Sequence, residues 1–219
     1  AFLCAARSYD VSAFVHYRMP ISMSDSTLAP RGLDALMTPS SIAVIGASDA
    51  ATRSGGRRLH YLLERGFQGA VYPVNTPRET VQALPALASI DDAPGPVDLV
   101  VLALPASAAL DSLESCAAKG VGAAVVFSSG FAERGEEGRQ AQLAMGQIAR
   151  DSGMRIVGPN CLGVYNTGIG MYATFSTSIE LQEASPGPVG VVSQSGAFGA
   201  HIAFLARQRR VQVGYLVTT

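Results

Sequence analysis

Five short segments carry residues suited to holding a phosphorylated ligand: Ser41-Ile-Ala-Val-Ile-Gly-Ala-Ser48, Val71-Tyr-Pro-Val-Asn75, Phe127-Ser-Ser-Gly-Phe-Ala-Glu133, Gly158-Pro-Asn-Cys-Leu-Gly163 and Val192-Ser-Gln-Ser-Gly196. Four of them read as an apolar strand running into a turn of small and polar residues. An open parallel sheet offers backbone N–H groups and strand ends to phosphate in that form. After the first strand, the small residues Gly46, Ala47, Ser48, Ser54, Gly55 and Gly56 would let a pyrophosphate reach the backbone at a helix N-terminus. Arg53 and Arg57 in the same loop suit phosphate oxygens. An ordinary strand-to-helix connection also needs such glycines, and the compact Gly-x-Gly-x-x-Gly is absent.

The second strand ends in Val74-Asn75-Thr-Pro-Arg78. A site for NAD places an acidic residue near here to bind the ribose hydroxyls. An amide and a guanidinium instead suit a ribose that carries a phosphate, as in coenzyme A or NADP. Leu104-Pro105-Ala106 and Ser128-Ser129-Gly130-Phe131 follow the third and fourth strands and would line the same crevice. Pro105 also serves simply as a helix start, and the serines as turn residues. Ser193, Ser195 and the free N–H groups of residues 193–196 form a candidate anion cradle, with a plain N-cap by Ser195 as the structural alternative. Cys161 reads as a buried structural thiol. His16, His60 and His201 receive no role, and paired carboxylates, metal-ligand spacing and a nucleophile elbow are not evident.

These segments need elements to position them. Apolar runs predict strands at 42–45, 70–74, 98–104, 123–127 and 155–157, and periodic stretches predict helices at 56–65, 106–119 and 136–152. Residues 81–87 form a weak segment, and Asp34–Met37 makes a helical turn. This alternation indicates βαβ units, a parallel sheet and helices on both faces. Residues 160–187 lack a helical period and read as an irregular or hairpin connection closed by Pro186-Gly-Pro188. A second α/β unit then opens with a strand at 189–192, a helix at 197–207 and a strand at 211–217.

Apolar residues make up 48% and charged residues 15% of the 219, enough for a large core. A net charge of −1 gives no reason to expect nucleic acid or an anionic membrane as partner. Lys119 is the only lysine; with the abundant Ala and Gly this reflects a GC-rich genome rather than a binding patch. Cys4, Cys116 and Cys161 show no metal or disulfide framework, so a reduced cytoplasmic setting is expected. No apolar run approaches the roughly 20 residues of a membrane span. The chain begins without Met, although Met23 looks like a natural start, and stops within an apolar strand, so a piece of a longer protein is expected.

Taken in order, the five segments resemble the N-terminal part of the NDP-forming (ADP-forming) acyl-CoA synthetases, relatives of the succinyl-CoA synthetase α subunit. The resemblance covers about Pro39 to Thr219. It implies a lead-in at 1–38, a Rossmann-type, doubly wound CoA-binding domain at 39–165, a linker at 166–187 and the start of a truncated flavodoxin-like α/β domain at 188–219. It implies CoA contacts from the Gly46–Arg57 loop, Val74, Asn75, Arg78, Pro105, Ala106, Ser128, Ser129, Gly130, Phe131 and Asn160. Ser193, Gln194, Ser195 and Gly196 would hold phosphate. The family makes an acyl phosphate from acyl-CoA and passes its phosphoryl group through a histidine to ADP, reversibly. That histidine, the ATP-grasp domain, the nucleotide and Mg would lie outside this chain, which then carries no catalytic residue and no metal. An acyl-CoA or carboxylic acid partner and an oligomeric or multidomain parent follow, with an acetyltransferase-fused parent as a variant. The sequence departs from the family where Gly-Lys often precedes the helix: here it reads Ser54-Gly-Gly-Arg57.

Two other readings compete. An NADP-binding oxidoreductase domain would use Arg78 on the 2′-phosphate, but Tyr61 and Tyr72 lack a lysine partner for hydride chemistry. A non-catalytic CoA- or nucleotide-sensing module would use the same fold without a reaction.

Overall fold

The structure, a computed structural model, describes residues 32–52, 54–181 and 185–219. The lead-in up to residue 31, with Cys4, His16 and Met23, lies outside them.

Chain order after a short helix α1 (Leu33–Met37) is β1 (Ser41–Ile45), α2 (Ser54–Glu64) and β2 (Ala70–Val74). The two-residue strands β3 (Thr80–Val81) and β4 (Leu84–Pro85) follow, then β5 (Leu99–Leu102), α3 (Ala106–Ala118), β6 (Ala123–Val126), α4 (Glu136–Ser152) and β7 (Arg155–Val157). The strands β1, β2, β5, β6 and β7 form one parallel sheet in the order β2-β1-β5-β6-β7. From β1 the chain steps outward to β2, then crosses back past β1 to β5. That reversal opens a crevice at the carboxyl ends of β1 and β5, the switch point of a doubly wound sheet.

Strands buried on both faces must be apolar throughout, and β1, β5 and β6 are buried at every position. Their alternate residues feed two cores. Ala43, Ile45, Val100, Leu102, Ala124 and Val126 pack on α3 and α4 through Ala109, Leu113, Cys116 and Met145. Ile42, Val44, Leu99, Val101 and Val125 pack on Leu59 and Leu62 of α2 and on a hairpin that follows β7.

That hairpin is β8 (Gly163–Asn166) and β9 (Met171–Thr174), paired antiparallel. Within the expected connection, residues 163–174 thus adopt the hairpin alternative. After it come β10 (Val189–Ser193), α5 (Gly196–Gln208) and β11 (Val213–Thr218). The strands β10 and β11 pair parallel, and β11 pairs antiparallel with β8, giving a second sheet in the order β10-β11-β8-β9. This junction is not legible in the residues, because strand pairing between distant segments leaves no local pattern. On the hairpin Val164 and Ala173 turn to the first sheet, whereas Tyr165 and Tyr172 join Tyr61, Ile179 and Leu216 in a third cluster. Among the described residues no helix is long and apolar enough to cross a membrane.

The amino ends of β1 and β5 are clasped by buried polar groups. Asp98 Oδ2 accepts from the Ser40 and Ser41 N–H groups at 2.7 and 3.2 Å, while Ser41 Oγ accepts from Asp98 N at 3.0 Å and donates to the Pro96 carbonyl at 2.9 Å. Burial raises the Asp98 carboxyl above its usual range, against the pull of these donors. Replacement of Asp98 by Ala should cost about 2 kcal/mol, because it orphans the N–H of buried Ser41, whereas that of exposed Ser40 can turn to water. Asp98→Asn keeps an acceptor without a buried charge and should cost about 1 kcal/mol or less. Urea unfolding of both variants checks the order, and equal losses would refute the clasp.

Candidate functional site

The carboxyl ends of β1, β2 and β5 surround a cleft of about 370 Å³ whose walls include Ile45, Gly46, Val74, Asn75 and Leu104. Pockets of this size accept a cofactor-sized fragment. The chain turns out of β1 at Gly46, with φ +81°, and its N–H donates to the Val74 carbonyl at 3.0 Å. A Cβ at this position would stand 2.7 Å from the Ala103 carbonyl oxygen and 3.0 Å from Leu104 Cδ2. Glycine is thus required both by the left-handed backbone and by the neighbouring strand.

Asn75 sits on the floor of the cleft. Its N–H donates to the Leu87 carbonyl at 2.9 Å and its Nδ2 to the Ala47 carbonyl at 2.8 Å. Its Oδ1 is buried and has no hydrogen-bond partner. An amide oxygen in that state is an acceptor waiting for a donor.

The loop between β1 and α2 is anchored from outside. Asp49 pairs with Arg78 and accepts from the Gln82 N–H at 2.8 Å. Gln82 Nε2 donates to the Ser48 carbonyl at 2.8 Å and the Gly56 carbonyl at 2.9 Å. Gln82 and Ala83, with φ 48° and 64°, make the two-residue turn between β3 and β4. Both central residues of a type I′ turn need positive φ. Asp49 and Gln82 escaped the sequence reading because the two strands of this hairpin are too short to show alternation.

The expected site residues are spread over one rim. Gly46, Val74 and Asn75 line the cleft, with Ala47 and Ser48 just behind. Arg78 follows the wall residues Thr76 and Pro77, half exposed. Pro105 precedes Ala106 at the start of α3, and Ser128 donates its hydroxyl to the Leu104 carbonyl at 2.6 Å, joining the ends of β5 and β6. Ser129 is exposed, Phe131 is fully buried, and the Gly130 N–H donates to Glu133 Oε1 at 2.5 Å. Asn160, exposed and with φ 57°, donates its N–H to the Ser128 carbonyl at 2.9 Å. Ser54 and Gly55 open α2, and Arg53 lies outside the described residues. Arg57 does not reach the cleft: its Nη2 donates to the Thr52 carbonyl at 2.6 Å and its Nε lies 3.8 Å from Glu180. The structure adds Ser89, Ser112 and Ser115 to the cleft wall. The last two share one helical face at a spacing of three, a signal present in the sequence but carried by ordinary residues.

The second unit approaches this rim through α5. Ser195 Oγ accepts from the Phe198 N–H at 3.3 Å, the N-cap alternative, and Ser193 Oγ donates to the Ser195 carbonyl at 2.9 Å. Gln194 is exposed. A side chain at Gly196 would meet Leu162 Cβ at 2.6 Å, so the start of α5 lies directly against the turn after β7. Thr218 Oγ1 fixes that approach, accepting from the Leu162 N–H at 3.0 Å and donating to the Gly163 carbonyl at 2.9 Å. Cys161 in this turn is buried, and burial pushes its thiol up to about 11; Cys116 is pushed up to about 12 for the same reason. Both are neutral thiols at neutral pH, unsuited to nucleophilic attack. Among the described residues no group of three His, Cys, Asp or Glu side chains could hold a metal ion.

A family model described as CoA binding domain matches residues 40–167. The chain is 37% identical over 198 residues to a trans-feruloyl-CoA synthase of an unknown prokaryotic organism, covering 90% of this chain and 28% of that protein. It is 42% identical over 173 residues to the α subunit of acetate–CoA ligase [ADP-forming] II of Pyrococcus furiosus, covering 78% of this chain and 36% of the relative. Among solved structures, the apo form of acetyl-coenzyme A synthetase 1 from Ca. Korarchaeum cryptofilum superposes with a TM-score of 0.78 at 33% identity, covering 85% of this chain and 40% of that one. The chain thus spans about a third of the length of the relatives it matches.

The turn at Gly130 provides a pH test of this rim. The Gly130 N–H, followed by the amides of Glu133 and Phe131, holds the exposed Glu133 carboxyl below its usual range. A lowered value means that the contact is complete above the ordinary carboxylate pKa of about 4.3 and is lost only as pH falls through the lowered value. The amide shift of Gly130, followed by NMR, should stay constant from pH 7 to 5 and move below about 4.3. A midpoint above that value would refute the contact, and Glu133→Gln should abolish the transition.

Proposed function

The chain belongs to the NDP-forming acyl-CoA synthetases through its CoA binding domain, and on that premise we propose that it holds coenzyme A across the carboxyl ends of β1, β2, β5 and β6. The observation that carries this reading is Asn75 Oδ1, a buried acceptor without a partner at the floor of the switch-point cleft. A ribose hydroxyl or the amino group of adenine supplies the missing donor. Arg78 gives Asp49 one contact and stays half exposed, so its remaining N–H donors suit the 3′-phosphate. The glycine turn at Gly46 and the rim from Pro105 and Ala106 through Ser128, Ser129, Gly130 and Phe131 to Asn160 offer the backbone along which the rest of the cofactor lies.

In this reading 39–165 is the CoA-binding unit, 166–187 the connection and 188–219 the opening of a succinyl-CoA-ligase-like unit. The first-turn N–H groups of α5 and Ser193, Gln194, Ser195 and Gly196 receive phosphate, supported by their contact with the turn at Leu162. The parent protein converts acyl-CoA, phosphate and ADP into carboxylic acid, CoA and ATP. ADP, ATP, Mg and the phosphorylated histidine belong to parts of the parent outside this chain, as an oligomer or a multidomain polypeptide in the cytoplasm. The named relatives act on acetate and on ferulate, so the family premise leaves the acyl group open.

Calorimetry with CoA, dephospho-CoA, NADP and NAD tests the reading. CoA should bind, and loss of its 3′-phosphate should weaken it about tenfold, as expected for a charge-assisted contact. Asn75→Ala should weaken CoA by a similar factor, and Arg78→Gln should erase the difference between CoA and dephospho-CoA. Binding of NADP without CoA would turn the assignment to a redox domain.

A further inference from the structure

A second cavity, of about 540 Å³, opens between Arg57 of α2, the turn after β9 and α5. Leu162, Phe175, Ala200 and Phe204 give it apolar walls, and Arg57 and His201 are its basic groups. Its wall is held by contacts that do not involve a ligand. Phe175 meets Phe127 edge-on at 5.5 Å, and the Arg58 guanidinium lies over both rings at 4.9 and 4.1 Å. The turn after β9 is tied to α2 by the Tyr61–Glu180 hydrogen bond and to α5 by Arg207 Nη2 donating to the Ser178 carbonyl at 3.2 Å. The cavity is thus built before anything enters it.

Its position links it to the cleft. Leu162 belongs both to the cavity wall and to the turn after β7, whose Asn160 is bonded to Ser128 on the rim. Ala197, one residue past the Gly196 contact with Leu162, also lines it. Leu162, two residues past Asn160, thus joins the turn beside Ser128 on the rim to the wall of this cavity. Something attached to the far end of a ligand lying on that rim arrives at an apolar chamber with a guanidinium on its wall.

We infer that this cavity receives the acyl group of the thioester, and that it selects bulky apolar acids, aromatic or branched, over acetate. The inference rests on the proposed binding of CoA. An acetyl group would leave most of the chamber as water against Leu162, Phe175 and Phe204, whereas an aryl group would replace that water with apolar contact. The carboxylate of a free acid would find Arg57, whose Nη2 bonds the Thr52 carbonyl and whose Nε stands 3.8 Å from the half-exposed Glu180.

The test compares CoA, acetyl-CoA and phenylacetyl-CoA on the same chain by calorimetry, with Ala200→Phe as the cavity-filling variant. Ala200 is buried on the cavity wall, outside the CoA rim. Phenylacetyl-CoA should bind about tenfold more tightly than acetyl-CoA, the scale set by a few buried carbons. Ala200→Phe should abolish that advantage while CoA affinity changes less than twofold. Free phenylacetate reads the cavity without CoA, through NMR shifts of the Ala200 methyl and the Phe204 ring. Equal binding of both thioesters with CoA binding intact overturns the inference and leaves the CoA reading standing. Shifts from phenylacetate with no binding of any CoA species would uphold the chamber and sink the CoA reading. An Ala200→Phe variant that keeps the aryl preference, with its melting temperature unchanged, also overturns the inference.

Discussion

A side chain at residue 46 would stand 2.7 Å from the carbonyl oxygen of Ala103, and the architecture of the site turns on that approach. The chain leaves β1 toward β2 on one side and returns to β5 on the other, so the two strand ends can diverge only beyond Gly46. The close contact lets β1 and β5 stay hydrogen-bonded up to the point where the loop departs, and it leaves the crevice directly above. The clasp of Asp98 and Ser41 at the opposite end fixes the same pair of strands. With both ends fixed, parallel register carries β2 up to Val74, and the bonds of Asn75 to Leu87 and Ala47 then hold it one strand over.

Around that crevice several polar groups are held by partners within the protein. Arg78 holds Asp49, Glu133 holds the Gly130 amide, Ser128 holds the Leu104 carbonyl and Ser195 caps α5. This arrangement keeps loops of small residues in place without a ligand, since an unpartnered buried group costs about 1–3 kcal/mol. Among the buried side-chain polar atoms of the described residues, Asn75 Oδ1 lines the cleft without a partner, which makes it the informative atom. The exposed partners exchange their contacts for ligand contacts at little cost, because surface pairs such as Arg78 with Asp49 contribute at most about 1 kcal/mol.

The second sheet gives the site its other half. It recruits the hairpin of β8 and β9 from the end of the first unit, so β11 can reach Leu162 and Gly163 through Thr218. Through that contact the start of α5 comes to rest on the turn after β7, and the cavity bounded by Arg57, Phe175 and Phe204 forms at the junction. Its walls come from both units.

Much of this was legible in the residues themselves. The apolar runs at 42–45, 70–74 and 123–127 and the helix at 136–152 are local signals, fixed by burial on both faces of a sheet or by helical period, and the structure places elements at each. The order of the five segments carried the family and the doubly wound architecture. The tertiary structure alone decided which strands became neighbours, that β11 would join β8, and that Arg57 would turn away from the cleft toward Glu180 while Arg78 stayed beside it. It also decided that Asp49 and Gln82 would hold the loop. The physical reason is one of range. Burial and helical period act over a few residues and leave a pattern in the chain, whereas pairing, charge partners and enclosed space arise between segments tens of residues apart, where residue type fixes what can bond but not what comes within reach.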